Sequence, residues 1–158
     1  MSVEAYTEGA AEGEEALAER LCAVGEALLA ASGLEDRELS LVLTDNAEIR
    51  ALNLEWRGED AATDVLSFPM DEGEALIGPE DEAMPLGDVV ISVEYTAAEA
   101  AKIGMPRDDL AVFLLVHGYC HLLGHDHAEP EEAAAMRAEE DRLLGLVAPG
   151  AVRPPTPY

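Results

Sequence analysis

The stretch that decides the architecture is residues 110–127, which read LAVFLLVHGYCHLLGHDH. Its first part, residues 110–116, is apolar on every side, as expected of a helix that runs through the middle of a domain. The remainder contains all four histidines of the chain. The pattern predicts a buried central helix that begins at Asp108 or Asp109, ends near Leu123 and carries imidazole nitrogens at its last turn.

These histidines have the spacing of a metal site. His117 and His121 are four residues apart, which places both imidazoles on one face of a helix. Gly124 can adopt the left-handed conformation that ends a helix, so the chain can turn back and bring His127 to the same ion. Three neutral imidazoles leave a fourth position open for water, as in catalytic zinc sites. We therefore expect one zinc ion per chain, bound by His117, His121 and His127.

Two neighbouring side chains have open roles. His125 is an alternative ligand, a group that supports the ligands, or an exposed side chain. Asp126 either accepts a hydrogen bond from the second nitrogen of a ligand imidazole or is a surface acid at a helix end. A fourth protein ligand would indicate a closed structural site, whereas an open position would indicate a catalytic one.

The spacing HxxxHxxGxxH is also that of the metzincin proteases, which makes a zinc metallopeptidase an alternative function. Zinc peptidases place a glutamate directly after the first histidine, where it deprotonates the metal-bound water. Here that position is Gly118, which has no side chain. The residue that peptide hydrolysis needs as a base is therefore missing.

Helices and strands alternate along the rest of the chain. Apolar residues at helical spacing and capping residues predict further helices at residues 14–32, 46–56, 96–103 and 131–144. Runs of Val, Leu and Ile predict strands at residues 39–44, 64–68 and 88–93. The third strand is apolar on both faces, which is typical of a central strand. The fold class is α/β or α+β, with a single mixed sheet of about four strands packed with helices.

The length of 158 residues suits one domain and hardly two. We expect a single domain over residues 1–148 and a Pro-rich, frayed C-terminal tail over residues 149–158. Residues 71–86, acidic and interrupted by Gly and Pro, are expected to form a mobile surface loop rather than a functional lid. Cys22 and Cys120 form no CxxC pair and are expected to be ordinary buried thiols.

The charge of the chain limits its partners. With 34 acidic against 9 basic residues, the net charge is −25, and Lys102 is the only lysine. Such a surface repels polyanions at long range, which argues against DNA as a partner. We expect the acids to reflect adaptation to high salt or a need for solubility. No stretch approaches the roughly 20 apolar residues that cross a bilayer, and the N-terminus lacks the layout of a secretory signal. We therefore expect a cytoplasmic protein with no membrane partner.

Three ordered blocks of the sequence resemble one known family. His-Gly-x-x-His-Leu-x-Gly-x-Asp-His, from His117 to His127, resembles the signature of the YbeY endoribonucleases, the bacterial ribosomal RNA maturation factors. Upstream, TDVLSFP at residues 63–69 and LGDVVIS at residues 86–92 resemble two further blocks, and LN at 52–53 precedes Arg57-Gly58 as in the family. In the last predicted helix, Met136 and Glu140 stand where the family has similar residues.

The resemblance implies a zinc-dependent, single-strand-specific endoribonuclease that acts in 3′-end maturation of 16S ribosomal RNA and in ribosome quality control. Its implied partners are single-stranded ribosomal RNA and ribosomal subunits or ribosomal proteins. It supports Arg57 as a catalytic residue, which would hold a phosphate and neutralise charge in the transition state. The alternative for Arg57 is a salt bridge to a nearby acid. No residue stands out as a general base.

The chain departs from the family pattern at two places. The family commonly has tyrosine at the position of His125, which adds a competing ligand here. It often has lysines near Arg57, where this chain has Glu59 and Asp60, so the electrostatic support for RNA contact is weaker. A non-catalytic ribosome-assembly factor with a structural metal is therefore a third alternative.

Overall fold

The computed structural model describes residues 3–69, 84–151 and 153–154. Within these residues the strands are β1 (Val3–Thr7), β2 (Arg37–Thr44), β3 (Val65–Pro69) and β4 (Met84–Ser92). The helices are α1 (Glu15–Ala31), α2 (Asn46–Arg57), α3 (Val93–Ile103), α4 (Arg107–Leu122) and α5 (Pro130–Val147). A short 3-10 segment, Gly9–Ala11, follows β1.

The strands form a single mixed sheet in the order β1-β2-β4-β3. β2 pairs in parallel with β1 and with β4, whereas β3 pairs with β4 in the antiparallel direction. Interior strand β4 buries Val89, Val90 and Ile91, so both of its faces are covered. The predicted fold class and the central position of this strand are confirmed.

Helices α1 and α4 cover one face of the sheet, which we call the closed face. The alternation in β2 places Leu39, Leu41 and Leu43 on this face, where all three are buried. Residues 110–116 of α4 are buried on every side, because α4 lies between the sheet, α1 and α5. The prediction of a central buried helix that carries the histidines is confirmed.

Within the part of the chain that the structure describes, helix α2 covers only part of the opposite face, which we call the open face. Its apolar contacts form a small cluster around Ile49, Leu66 and Val90. Beside that cluster lies a groove of about 640 Å³, whose lining includes Trp56 and Arg57 at the end of α2. Trp56 is 64% exposed and meets Phe68 of β3 edge to face, with ring centroids 6.2 Å apart.

Three predictions about segments need correction. Strand β1 was not predicted, although it extends the sheet beside β2. Residues 84–86 belong to β4, not to the predicted loop, and residues 71–83 of that loop lie outside the described residues. The tail is not frayed at Arg153, which forms ion pairs with α5, or at Pro154, which is buried.

Both cysteines are free thiols, as predicted; Cys120 is buried as expected, whereas Cys22 is only half-buried. Among the described residues, no helix combines the length and the apolar composition that a membrane crossing requires.

Candidate metal centre

The end of α4 builds the candidate site by ordinary helix termination. The N–H of Gly124 donates to the carbonyl of His121 at 3.0 Å, and that of His125 donates to the carbonyl of Cys120 at 3.1 Å. Gly124 has φ +98°, so the chain reverses there as the sequence predicted. This reversal brings His127 back to the last turn of the helix.

The three predicted ligands lie together. One candidate ligand atom from each of His117, His121 and His127 can be chosen so that all three lie within 4.8 Å of one another. The ring centroid of His117 is 4.8 Å from that of His121 and 5.7 Å from that of His127. Among the described residues this is the group of histidines, cysteines and acids that could hold a metal ion, and His125 is not part of it.

The backbone fixes the orientation of His121. Its Nδ1 lies 2.9 Å from the carbonyl oxygen of His125. Since a carbonyl oxygen only accepts, Nδ1 must carry the proton, and the lone pair of the neutral ring is on Nε2. Burial lowers the pKa of His121, and the neighbouring His117 lowers it further. The ring is therefore held in the neutral form that binds metals.

A carboxylate fixes the orientation of His117. Nδ1 of His117 lies 2.6 Å from Oε2 of Glu140 on α5, and the Glu140 side chain is completely buried. Carboxylates in this position orient ligand imidazoles and increase their basicity. Glu140 stands where the family has a similar residue, but no role was predicted for it from the sequence. The sequence feature that could have indicated a role is the position of this acid on the buried face of α5, together with Met136, Leu143 and Leu144.

Two other neighbours of the histidines do not take part as ligands. Cys120 is fully buried, and burial raises the pKa of its thiol to about 12, so it stays protonated. Asp126 accepts a hydrogen bond from the backbone N–H of His127 at 2.7 Å. The Asp126 side chain therefore binds the backbone of the turn. Glu140 and the carbonyl of His125 contact the ligand rings.

Gly118 explains why the site has no peptidase glutamate. A Cβ atom there would lie 2.9 Å from Cγ1 of Val89, 3.0 Å from Oγ of Ser67 and 3.3 Å from Cγ2 of Val65. The position faces β3 and β4 across a contact too close for any side chain. A glutamate at this position would point into the sheet.

Arg57 contacts strand β3 on the side opposite to Gly118. It is the last residue of α2, and its guanidinium donates to the backbone carbonyl of Ser67 at 3.4 Å. The hydroxyl of Ser67 in turn donates to the carbonyl of Gly118 on α4 at 3.0 Å. Ser67 therefore links Arg57 to the helix that carries His117 and His121.

The salt bridge that was the alternative for Arg57 is not observed. Within residues 3–69, 84–151 and 153–154, no carboxylate forms an ion pair with its exposed guanidinium. The nearby Asp60 binds Arg50 instead, with two contacts of 2.7 and 3.1 Å. In this part of the chain the guanidinium of Arg57 is not neutralised by an acid.

Comparison with known proteins identifies the family of the chain. The family model described as "Endoribonuclease YbeY" matches residues 3–147. The chain belongs to the endoribonuclease YbeY family. Its relatives of that name include proteins from Pelotomaculum thermopropionicum, 47% identical over 133 residues (84% of this chain, 87% of the relative), and from Sulfurihydrogenibium sp., 48% identical over 122 residues (77% of each). The resemblance noted in the sequence is thereby confirmed.

The fold has a solved counterpart. The solution structure of TM1509 from Thermotoga maritima matches with a TM-score of 0.62 at 25% identity, over 92% of this chain and 88% of that one. Family and fold therefore agree over nearly the whole described chain.

Proposed function

We propose that this chain is a zinc-dependent endoribonuclease for single-stranded RNA, with His117, His121 and His127 as metal ligands and Arg57 as the catalytic phosphate-binding residue. The main support for the proposal is that the three imidazoles converge, and that Nδ1 of His117 and Nδ1 of His121 each lie at hydrogen-bond distance from a partner. Membership of the endoribonuclease YbeY family supports RNA as the substrate.

The donor set fits zinc. Three imidazoles suit zinc and other transition metals, whereas calcium and magnesium prefer oxygen ligands. With Nδ1 of His117 and His121 engaged, their Nε2 atoms are the ligand atoms. The chemistry that a bound zinc ion supplies is Lewis-acid polarisation of a phosphoryl oxygen and activation of water.

The residues of the chain orient the reactants. Glu140 and the carbonyl of His125 hold two ligand imidazoles at fixed angles. Arg57 would bind non-bridging phosphate oxygens with its planar fork and stabilise the charge that develops on them during cleavage. The groove on the open face, which Arg57 lines, is also lined by Glu8, Glu48 and Asp88. Because these acids repel phosphate, we expect phosphate contacts only at the end of the groove where Arg57 lies.

The charge of the protein bears on how the substrate arrives. A net charge of −25 gives no long-range attraction for RNA. We propose that the substrate is the 3′ region of 16S ribosomal RNA, in cytoplasmic maturation and quality control, and that ribosomal subunits or ribosomal proteins deliver it. The catalytic domain would comprise residues 1–148. The support for these finer assignments is the family resemblance.

The two alternatives have less support. A metallopeptidase needs a base at Gly118, where packing against Val89 leaves no room for a side chain. A purely structural metal needs a fourth protein ligand, and His125, the candidate from the sequence, lies outside the group of converging side chains.

The proposal is tested by incubating zinc-loaded protein with a labelled single-stranded RNA that contains the 16S 3′ region, in parallel with a peptide substrate. We expect RNA cleavage that disappears with chelator and in His121→Ala, and that persists in Arg142→Ala, which removes only an exposed ion pair with Glu139. Absence of RNA cleavage, even with ribosomal subunits added, would favour the assembly-factor alternative. Peptide cleavage would favour the peptidase.

The role of Arg57 has its own test. We expect Arg57→Ala to lower the rate of RNA cleavage by roughly 10²–10³, as the loss of a transition-state donor does, while zinc affinity and stability stay unchanged. Arg57→Lys should recover part of the rate, because it keeps the charge and loses the fork. Equal cleavage rates for wild type and Arg57→Ala would exclude Arg57 from the chemistry.

A further inference from the structure

Arg153, which follows α5 in the chain, contacts the surroundings of the candidate metal centre. Arg153 forms an ion pair of 2.8 Å with Oε1 of Glu140, the oxygen that does not face His117. It also contacts Asp141 at 2.9 Å and donates to the carbonyl of Arg137 at 3.0 Å. Three contacts to α5 therefore hold a guanidinium that is only 18% exposed.

Arg153 reaches the same histidine by a second route. Its guanidinium lies over the ring of Phe113, 5.4 Å from the centroid. Phe113 lies one helical turn before His117, and the two rings stack with centroids 6.1 Å apart. Arg153 therefore contacts two side chains, the Glu140 carboxylate and the Phe113 ring, and each of them contacts the imidazole of His117 directly.

The buried carboxylate requires this cation. Glu140 has no exposed surface, and an uncompensated charge at such a position is strongly unfavourable. The two oxygens of Glu140 face different partners: Oε2 lies at hydrogen-bond distance from Nδ1 of His117, and Oε1 forms an ion pair with Arg153 that lacks hydrogen-bond geometry. Loss of Arg153 would therefore remove one of the contacts that hold the carboxylate in the orientation that faces the imidazole.

We propose that Arg153 is a positioning residue for the metal centre: it holds Glu140 in the orientation that accepts from Nδ1 of His117, so that the contacts of Arg153 with α5 and Phe113 set the metal affinity. The inference rests on the proposed metal-binding function. Arg153 lies outside residues 3–147, which the family model matches, so the family match does not assign this role.

The first test is a zinc titration of the full chain against a competing chelator dye. We expect Arg153→Ala to weaken zinc binding by about tenfold, the low end of the effect of removing an outer-shell partner. Arg153→Lys should recover part of the loss. Arg142→Ala, which breaks an exposed ion pair on the same helix, should bind zinc like the wild type. Wild-type affinity in Arg153→Ala would overturn the proposal.

A second readout separates positioning from general destabilisation. In the metal-free protein, imidazole nitrogen NMR should show the His117 proton on Nδ1 in the wild type and in Arg142→Ala, and distributed between both nitrogens in Arg153→Ala. An unchanged His117 spectrum in Arg153→Ala would overturn the proposal, because it would show that Arg153 only stabilises the fold. If the wild type bound no zinc, the proposed function and this inference would both fail. Normal zinc binding that does not change in Arg153→Ala would overturn this inference alone.

Discussion

The two faces of the sheet are built to different degrees of completeness. On the closed face, α1 and α4 bury a large continuous core, and α4 packs so tightly that Gly118 has no room for a side chain. On the open face, α2 covers a small cluster and leaves a groove with Trp56 exposed. We propose a division of labour in which the closed face holds the candidate metal ligands and the open face presents Arg57 to a substrate.

The two faces meet at β3. Alternate residues of this strand point to opposite faces, so Leu66 packs under α2 while Ser67 contacts α4. Arg57 and Gly118 bind the carbonyl and the hydroxyl of the same Ser67. A short edge strand therefore sets the spacing between the candidate phosphate-binding residue and the histidine helix.

The largest expected effect is at Gly118 on the closed face. Gly118→Glu places a charged side chain against Val89 and should lower the free energy of unfolding by about 3 kcal/mol or more, without creating peptidase activity. Urea unfolding measures the loss. The matched control is Gly145→Ala on α5, where an added Cβ meets nothing within 4 Å, and we expect a gain of about 0.5–1 kcal/mol there.

A pair of leucines gives the next largest difference between the faces. Leu115→Ala, in the completely buried part of α4, should lower the free energy of unfolding by about 2–5 kcal/mol. Leu54→Ala, on α2 where Leu54 is 50% exposed, should change it by less than about 0.5 kcal/mol. Equal losses in denaturant unfolding would mean that the open face is covered in solution.

The smallest predicted effect concerns the start of α2. Asp45 accepts from the backbone N–H groups of Ala10 and Glu48, and these bonds lower the pKa of its carboxyl, Ala10 contributing most. Asp45→Ala should cost about 1 kcal/mol, and Asp45→Asn much less.

The pH dependence of that effect follows from the lowered pKa. The charge-dependent part of the stabilisation by Asp45 is fully present above the ordinary carboxyl pKa of about 3.9 and is lost as the pH falls through the lower value of the folded state. Unfolding measured from neutral pH downwards should therefore show a smaller penalty for Asp45→Ala at low pH, while the part of the cap that a neutral side chain also provides remains. A penalty that is the same at neutral pH and below about pH 3 would contradict the charge contribution.

Local patterns made the metal centre predictable. The i, i+4 histidines and the glycine that ends α4 act within one short stretch, so the sequence alone brings His117, His121 and His127 together. The central position of β4 was equally local, since a strand that is apolar on both faces must be covered on both.

Long-range contacts could not be predicted in the same way. Strand β1 has only five residues and exposes Tyr6, so its strand conformation depends on pairing with β2. The partner of His117 is Glu140, 23 residues along the chain, and Arg153 joins them from a Pro-rich segment that resembles a loose end. Such contacts depend on tertiary packing, and no spacing rule encodes them.

We propose that α4 and its turn present one metal ion with an open coordination position. X-ray absorption fine structure of the zinc-loaded protein tests this arrangement, with His125→Ala as the control. We predict three imidazole ligands and one further light ligand that is not an imidazole, with an unchanged spectrum in His125→Ala. Four imidazoles in the wild type, reduced to three in His125→Ala, would indicate a closed structural site and contradict the catalytic role proposed for this centre.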